Sequence, residues 1–119
     1  MSEPLNPVQI ESQIRELSNR IAKGVSVCSK LHSQFLEADR KFDAEYARKY
    51  LAAEGSIKDK EQSARLESMD ARAERDESEV AYKYADRTAK ALELELRGIQ
   101  SIGASVRSMY GVAGRGEGA

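Results

Sequence analysis

The side chains with the greatest potential for chemistry are Cys28 and His32, the only cysteine and the only histidine of the chain. They are four residues apart, so one face of a helix would bring a thiol beside an imidazole, as in a nucleophile and its base. Cys28, however, belongs to a series of apolar residues, where a free cysteine packs as a small hydrophobic side chain. One thiol and one imidazole are also too few ligands for a metal site. We therefore expect no catalytic residue, no metal and no cofactor.

Basic side chains close to tyrosines suggest a second chemistry, the binding of nucleic acid. One group surrounds Tyr46 and Tyr50, and another surrounds Tyr82 and Tyr84. Lysine and arginine bind phosphates, and aromatic rings stack on the bases of single strands. Tyrosines at this spacing also suit a helix seam, and a charged helix face is usually just solvated, so both interpretations stay open. The candidate nucleic-acid residues are Arg20, Lys23, Lys30, Arg40, Lys41, Arg48, Lys49, Lys83, Arg87 and Lys90.

Long helices must position these side chains, because helix breakers are confined to a few places. Both prolines fall within the first seven residues, and Gly55-Ser56 is the clearest internal break. Asn6, Pro7 and Gln9 form the pattern of a capping box at the start of the first helix. Within a single domain, the predicted boundaries are an N-terminal lead at 1–6, a helix at 7–54, a turn at 55–56, a helix at 57–110 and a disordered glycine-rich tail at 111–119.

Apolar residues recur every seven positions along both helices, which predicts an all-α fold of two long helices in a helical hairpin or coiled coil. Such a hairpin buries one narrow seam, too little to offset the ordering entropy of a monomer, so we expect it to oligomerise into a bundle or ring. In the second helix, one register holds Ala85, Leu92, Ile99 and Val106 and the other holds Ala81, Thr88, Ile102 and Met109. The predicted seam residues are Ile14, Leu17, Ile21, Cys28, Leu31, Phe35, Phe42, Leu92, Ile99, Ile102 and Val106.

The composition limits the class of protein. The 119 residues include 19 basic and 20 acidic side chains, so the net charge of −1 is far from that of a typical disordered chain. One cysteine excludes a disulfide scaffold, and no apolar run approaches the roughly 20 residues of a membrane span. The first residues also lack the basic and apolar regions of a signal peptide. We expect a cytoplasmic protein with no membrane partner.

The near-neutral charge is divided unevenly along the predicted hairpin. If the helices fold back at Gly55-Ser56, residue i lies near residue 111 − i. The end far from the turn, residues 15–30 and 81–107, then carries nine basic and four acidic side chains, whereas residues 37–79 have a net charge of −4. A sequence pI near 5.9 argues against tight duplex binding. It permits a weak binder that gains avidity by oligomerising.

Three features of the chain, taken together, resemble the layout of a known protein family. They are the segment Ser29-Lys30-Leu31-His32-Ser33 in an amphipathic helix, the basic and aromatic stretch from Tyr46 to Gly55, and a second long helix with a Gly/Arg tail. From about Ser18 to Tyr110 the chain resembles the UvsY-type recombination mediators of tailed phages. The resemblance implies a helical ring that binds single-stranded DNA and helps load a recombinase in place of single-strand-binding protein, in the cytoplasm of a bacterial host. The DNA-contacting stretch that it implies is Arg40, Lys41, Arg48 and Lys49, here interleaved with Asp39, Asp43 and Glu45.

Two functions from different classes follow from these observations. The first is an oligomeric helical accessory protein of phage DNA recombination or replication that binds single-stranded DNA non-specifically and assists recombinase loading. The alternative is a coiled-coil interaction module, an assembly chaperone or scaffold with no nucleic-acid role. Binding to a membrane surface is disfavoured, because neither helix combines a strongly basic face with exposed large apolar side chains.

Overall fold

The computed structural model describes residues 6–117 and shows three helices within them. They are α1 (Pro7–Ala52), α2 (Ile57–Glu67) and α3 (Met69–Glu117). No strand forms in this part of the chain, which confirms the predicted all-α class. None of the helices in it is long and apolar enough to cross a membrane.

The first helix begins as its sequence predicts. The backbone N–H of Gln9 donates to Oδ1 of Asn6 over 2.9 Å, and the backbone N–H of Asn6 donates to Oε1 of Gln9 over 3.1 Å. This reciprocal pair satisfies two of the backbone donors that a helix start leaves free. The predicted capping box is therefore confirmed, and Pro7 occupies the first helical position, where its missing N–H costs nothing.

The predicted break at Gly55-Ser56 is confirmed by a second capping box. Gly55 has a φ of 111°, in the left-handed region that glycine tolerates best. Ser56 caps α2 through a 3.2 Å bond from the Asp59 backbone N–H to its Oγ, and its own N–H donates to Oδ2 of Asp59 over 3.1 Å. The preceding helix ends at Ala52, two residues earlier than predicted, so the connection is four residues long.

The second predicted helix is interrupted at Ser68, which corrects the expectation of one helix over 57–110. Ser68 has φ −105° and ψ 10° and separates α2 from α3. Its side chain is buried, and its Oγ donates to the carbonyl oxygen of Ala64 over 2.6 Å. The backbone N–H of Ser68 keeps its bond to the same carbonyl oxygen over 3.0 Å, so the hydroxyl adds a second bond to it. A serine hydroxyl that bonds the preceding turn in this way tends to bend a helix, which fits the distortion at Ser68.

At its other end, α3 continues to Glu117, beyond the predicted end at Tyr110. The sequence predicts a disordered tail from Gly111, and over residues 111–117 the structure shows helix instead. Residues 118 and 119 lie outside the described part of the chain.

The chain divides into two compact units. Unit 1 comprises residues 1–25 and 87–119, and unit 2 comprises residues 26–86. In unit 1, the α1 and α3 segments run antiparallel: Gly103 packs against Ile10, and Gly24 lies closest to Ala89. Partner positions add up to 113 in both contacts, not to 111 as the sequence suggested. The buried side chains of this unit include Ile10, Leu17 and Leu92.

Unit 2 also pairs α1 with the following helices in antiparallel register. Ion pairs join Asp39 to Arg75 and Lys41 to Glu74. These positions add up to 114 and 115, so the register is again shifted from the predicted one. Ala38 is buried in the α1 segment of this unit, and the buried residues on the other side are Ala64 and Ser68.

The seam of α3 follows a different second register from the predicted one. Ala81, Thr88, Ile102 and Met109 are all exposed, with Ile102 44% accessible. The next residue along the chain is the less exposed one in three of these cases: Tyr82 after Ala81, Ala89 after Thr88 and Gly103 after Ile102. Leu17 and Leu92 are buried as expected. The other predicted seam residues are half-buried, and these are Ile14, Ile21, Cys28, Leu31, Phe35, Phe42, Ile99 and Val106.

Gly98 offers a simple test of the helical assignment in unit 1. A Cβ atom at Gly98 would meet no heavy atom within 4 Å, and the residue is exposed in the middle of α3. Gly98→Ala is therefore expected to raise the free energy of unfolding by about 1 kcal/mol, the usual gain for this change in a helix interior. Urea denaturation followed by circular dichroism measures it.

The control is Gly103→Ala, because a Cβ atom there would lie 3.0 Å from Cγ2 of Ile10. Crowding against Ile10 should cancel much of the helical gain at this buried position. A destabilised Gly98→Ala variant would contradict the assignment of this stretch as a solvent-facing helix.

Candidate nucleic-acid interface

Ion pairs hold at least four of the ten candidate cations. Two of these pairs lie within a helix and two join different helices of unit 2. An ion-paired cation has less charge to offer a phosphate, because its field is partly cancelled by the neighbouring carboxylate. The pairs, with their N–O distances, are Lys41–Glu74 (3.0 Å), Arg48–Glu45 (3.1 Å), Lys49–Glu67 (3.8 Å) and Lys83–Glu79 (3.2 Å).

The other candidate cations are exposed and divided between the units. In unit 1, Arg20, Lys23 and Arg87 have no ion pair with any described residue, and in unit 2 the same holds for Lys30 and Arg40. Lys90 is also exposed, but it is not free, because it has an interaction partner. Of these exposed cations, only Arg40 belongs to the stretch that the resemblance implies.

A cleft in unit 2 brings together basic and aromatic side chains that the sequence did not connect. It encloses about 340 Å³ and receives side chains from all three helices and from the break between α2 and α3. Its two arginines are exposed and form no ion pair with any described residue. The cleft is lined by Phe42, Asp43, Tyr46, Arg65, Ser68 and Arg72.

The break at Ser68 positions the two arginines. Arg65 precedes it in α2 and Arg72 follows it in α3, and both line the cleft. The buried Ser68 hydroxyl holds the junction through its bond to Ala64. Arg65 and Arg72 were not among the predicted residues, because they lie in a stretch whose many charges indicate a solvated face. The only feature of the sequence that could have suggested them is their spacing, because Arg65 and Arg72 are seven residues apart with Ser68 between them.

Two aromatic rings, those of Phe42 and Tyr46, also line the cleft. The Phe42 and Tyr46 rings lie 6.4 Å apart at 61°, and Tyr46 is stacked on Tyr50 with centroids 6.4 Å apart. Phe42 and Tyr46 are half-buried, so part of each ring remains accessible. A planar group that entered the cleft could contact a ring while its charged substituent reached a guanidinium.

Arg75 packs beside the Phe42 ring and is held in an ion pair with Asp39. Its Nε donates to Oδ1 of Asp39 over 2.5 Å, and its guanidinium lies 5.9 Å from the ring centroids of both Phe35 and Phe42. The hydrogen bond to Asp39 raises the pKa of Arg75 above its ordinary value, although partial burial opposes this. Arg75 therefore remains charged and bound to Asp39, and it fixes Phe42 by a cation–π contact.

The two units differ in charge in the predicted direction. Unit 1 contains eight basic and six acidic residues, whereas unit 2 contains eleven basic and fourteen acidic residues. The cleft thus lies in the more acidic unit, and Asp43 lines it. Arg65 and Arg72 would attract a polyanion, whereas the net negative charge of unit 2 would repel it, so weak binding is expected.

The residues first considered for catalysis take part in packing. The His32 ring is stacked on Tyr82 with centroids 4.5 Å apart, and Phe35 is parallel to the same tyrosine at 6.3 Å. These contacts occupy Tyr82, a predicted stacking platform, whereas Tyr84 is 73% exposed. Cys28 is a half-buried free thiol. Among the described residues, no group of three or more His, Cys, Asp or Glu side chains is placed to hold a metal ion.

Comparisons of the chain with protein-family models, with curated proteins and with solved structures gave no match. The likeness to UvsY-type mediators therefore remains an expectation from the sequence, and the cleft in unit 2 is interpreted from its own chemistry.

Proposed function

We propose that this chain is an oligomeric helical accessory protein of phage DNA recombination or replication. It binds single-stranded DNA without sequence preference and assists the loading of a recombinase, in competition with single-strand-binding protein. The observation that supports this proposal is the cleft of unit 2, in which Arg65 and Arg72 lie beside the accessible rings of Phe42 and Tyr46.

The residue types of the cleft suit a single strand better than a duplex. An unpaired base exposes both faces, so it can stack on an aromatic ring, whereas duplex bases are already stacked on each other. The two guanidinium groups can each contact a backbone phosphate. Every base has a face that can stack on a ring, and every nucleotide has the same phosphate, so these contacts give binding without sequence preference.

Oligomerisation gives this weak site a useful affinity. Two phosphate contacts in an acidic unit bind one short strand loosely, and several copies along one strand multiply the effect. We propose that each chain is a helical hairpin, with α1 packed against α2 and α3, and that the hairpins associate into a bundle or ring. The many exposed apolar residues, such as Val25, Val80 and Leu94, support association.

The test removes the two cleft arginines. The double change Arg65→Ala and Arg72→Ala is expected to weaken binding of a labelled oligo-dT about tenfold in a mobility-shift titration at ~50 mM salt. Because about 0.7 counterions are released per phosphate contact on a single strand, the slope of log K against log salt should fall by about 1.4. Circular dichroism verifies that the fold is intact.

The matched control is the double change Arg48→Ala and Lys49→Ala, which removes two positive charges that are already in ion pairs. It should weaken binding much less. The change Arg20→Ala with Lys23→Ala tests the unpaired cations of unit 1. Loss of binding in this last variant, with the cleft variant unaffected, would move the site to unit 1. No shift by the assembled wild-type protein would refute the DNA-binding function.

The second candidate function is a coiled-coil interaction module without a nucleic-acid role. The pairing of Lys41, Arg48, Lys49 and Lys83 with carboxylates favours it, because these cations then serve the stability of the helices. The same titration distinguishes the two candidates. An oligomer that binds no oligo-dT but forms a defined complex with one identified protein would support the assembly chaperone or scaffold.

A further inference from the structure

The cleft of unit 2 contains a carboxylate that the proposed function does not use. Asp43 lines it together with Arg65 and Arg72, and all three side chains are exposed and form no ion pair with any described residue. A carboxylate can only accept hydrogen bonds, and it repels the phosphates that the arginines attract. A ligand that binds here with Asp43 as a partner must therefore present a donor group to it.

The position of Asp43 in α1 sets it beside an aromatic ring. Asp43 and Tyr46 are three residues apart in this helix, a spacing that makes them neighbours on the helix surface. Both residues line the cleft, and the Tyr46 ring is half-buried. A base that stacks on Tyr46 would bring one of its edges close to Asp43, while the phosphate of the same nucleotide reaches an arginine.

The bases differ in what their unpaired edges offer to a carboxylate. Guanine presents two adjacent donors, N1–H and the N2 amino group, which match the two oxygens of one carboxylate. Cytosine and adenine each present one amino group beside an acceptor nitrogen. Thymine presents a single N3–H between two carbonyl oxygens, and a carboxylate repels both of these oxygens. In a single strand these edges are free, because no complementary strand occupies them.

We propose that Asp43 gives the cleft a preference for guanine over the other bases, with thymine the least favoured. The carboxylate accepts from N1–H and from the N2 amino group, the base stacks on Tyr46, and an arginine binds the phosphate. This proposal rests on the DNA-binding function. It adds a bias of a few-fold to contacts that accept any base, because an exposed carboxylate gives up hydrogen bonds to water when it binds the ligand.

The test compares labelled strands that differ in one kind of base. The first strand is oligo-dT, the second carries isolated guanines between thymines, and the third carries hypoxanthine at the same positions. In mobility-shift titrations at ~50 mM salt, the wild-type protein is expected to bind the guanine strand about fivefold more tightly than oligo-dT. Hypoxanthine keeps N1–H and the purine ring but lacks the amino group, so its strand should lose most of this gain. That loss would exclude better stacking of a purine as the cause.

Asp43→Asn tests whether the carboxylate causes the preference. The amide keeps the size of the side chain but has one acceptor oxygen instead of two. The guanine strand and oligo-dT should then bind within about twofold of each other. Binding of oligo-dT should not fall, because a negative charge near the phosphates is removed. Glu37→Gln is the matched control: it removes an exposed carboxylate from the same helix and unit, outside the cleft, and should keep the full preference.

The outcomes separate this preference from the DNA-binding function. If the wild-type protein shifts oligo-dT but binds the guanine and hypoxanthine strands equally well, the preference is wrong and the DNA-binding function stands. The preference is also wrong if Asp43→Asn strengthens the binding of every strand by the same factor, because Asp43 would then act only as a repulsive charge. No shift of any strand would refute the DNA-binding function, and the guanine preference with it.

Discussion

Leu17→Ala is expected to lower the free energy of unfolding by about 3 kcal/mol, a typical cost for truncating a buried leucine. Leu17 is 5% exposed, and in unit 1 the large side chains comparably buried among the described residues are Ile10 and Leu92. The register of 113 places Leu17 opposite Leu96. Unit 1 has few other buried side chains, so its neighbours cannot move to fill the cavity that the smaller alanine leaves.

The same chemical change at Leu51 serves as the control, because Leu51 is 80% exposed near the end of α1. Leu51→Ala should alter the free energy of unfolding by less than about 0.5 kcal/mol. Urea denaturation at one fixed protein concentration gives both values, since association would otherwise shift the midpoint. Equal losses in the two variants would contradict the burial of Leu17 in a seam.

The first helix was predictable from sequence because its seam consists of large apolar residues between two strong signals. The capping residues Asn6 and Gln9 set its start, and Gly55-Ser56 sets the following break. Between them, the seven-residue series from Ile14 to Phe42 leaves one possible buried face. Large side chains at regular spacing are the strongest indicator of a helix that buries one side.

The seam of α3 was placed in the wrong register because its buried positions carry small side chains. Gly103 and Ala89 are the residues that approach Ile10 and Gly24, and neither stands out in a search for apolar residues. Ile102 is larger and one residue away, so its hydrophobicity suggested a place in the seam that the structure gives to Gly103. Close approach of two helix backbones requires small residues, which hydrophobic patterns do not detect.

The error in register also affected the candidate site, because it placed the wrong residues opposite each other. If partner positions added up to 111, Lys41 would lie near Asp70 and its ion pair with Glu74 would not be expected. In the structure it binds Glu74, and Lys49 binds Glu67. The cleft itself depends on the break at Ser68, where a single serine in a charged stretch gives no distinctive signal. Arg65 and Arg72 could therefore not be assigned before the fold was known.

Ala64→Glu is expected to destabilise the protein by about 3 kcal/mol or more, the cost of placing an unpaired charge in a buried position. Ala64 is 0% exposed in α2, and its carbonyl oxygen accepts bonds from both the N–H and the Oγ of Ser68. The new carboxylate would have to separate α2 from its neighbours in unit 2. Because Arg65 and Ser68 line the cleft, oligo-dT binding should be lost together with stability.

The pH dependence distinguishes charge from size in this variant. Burial would raise the folded-state pKa of the new carboxyl above the ordinary value of about 4.3, so the full loss of stability is expected above the folded-state pKa. As the pH falls below it, the carboxyl binds a proton in the folded state and the difference from wild type shrinks. Ala64→Leu, which adds bulk without charge, should cost about 1–3 kcal/mol at every pH.

Ala44→Glu is the matched control for the added carboxylate. Ala44 is exposed in α1, and Arg40 and Arg48 lie four residues before and after it, so the new charge gains helical neighbours. Urea denaturation of the variants between pH 4 and pH 8 should leave this control within about 0.5 kcal/mol of wild type. If Ala64→Glu were as mild, α2 would be a loosely attached helix, and the cleft that depends on it could not hold Arg65 and Arg72 beside the rings of α1.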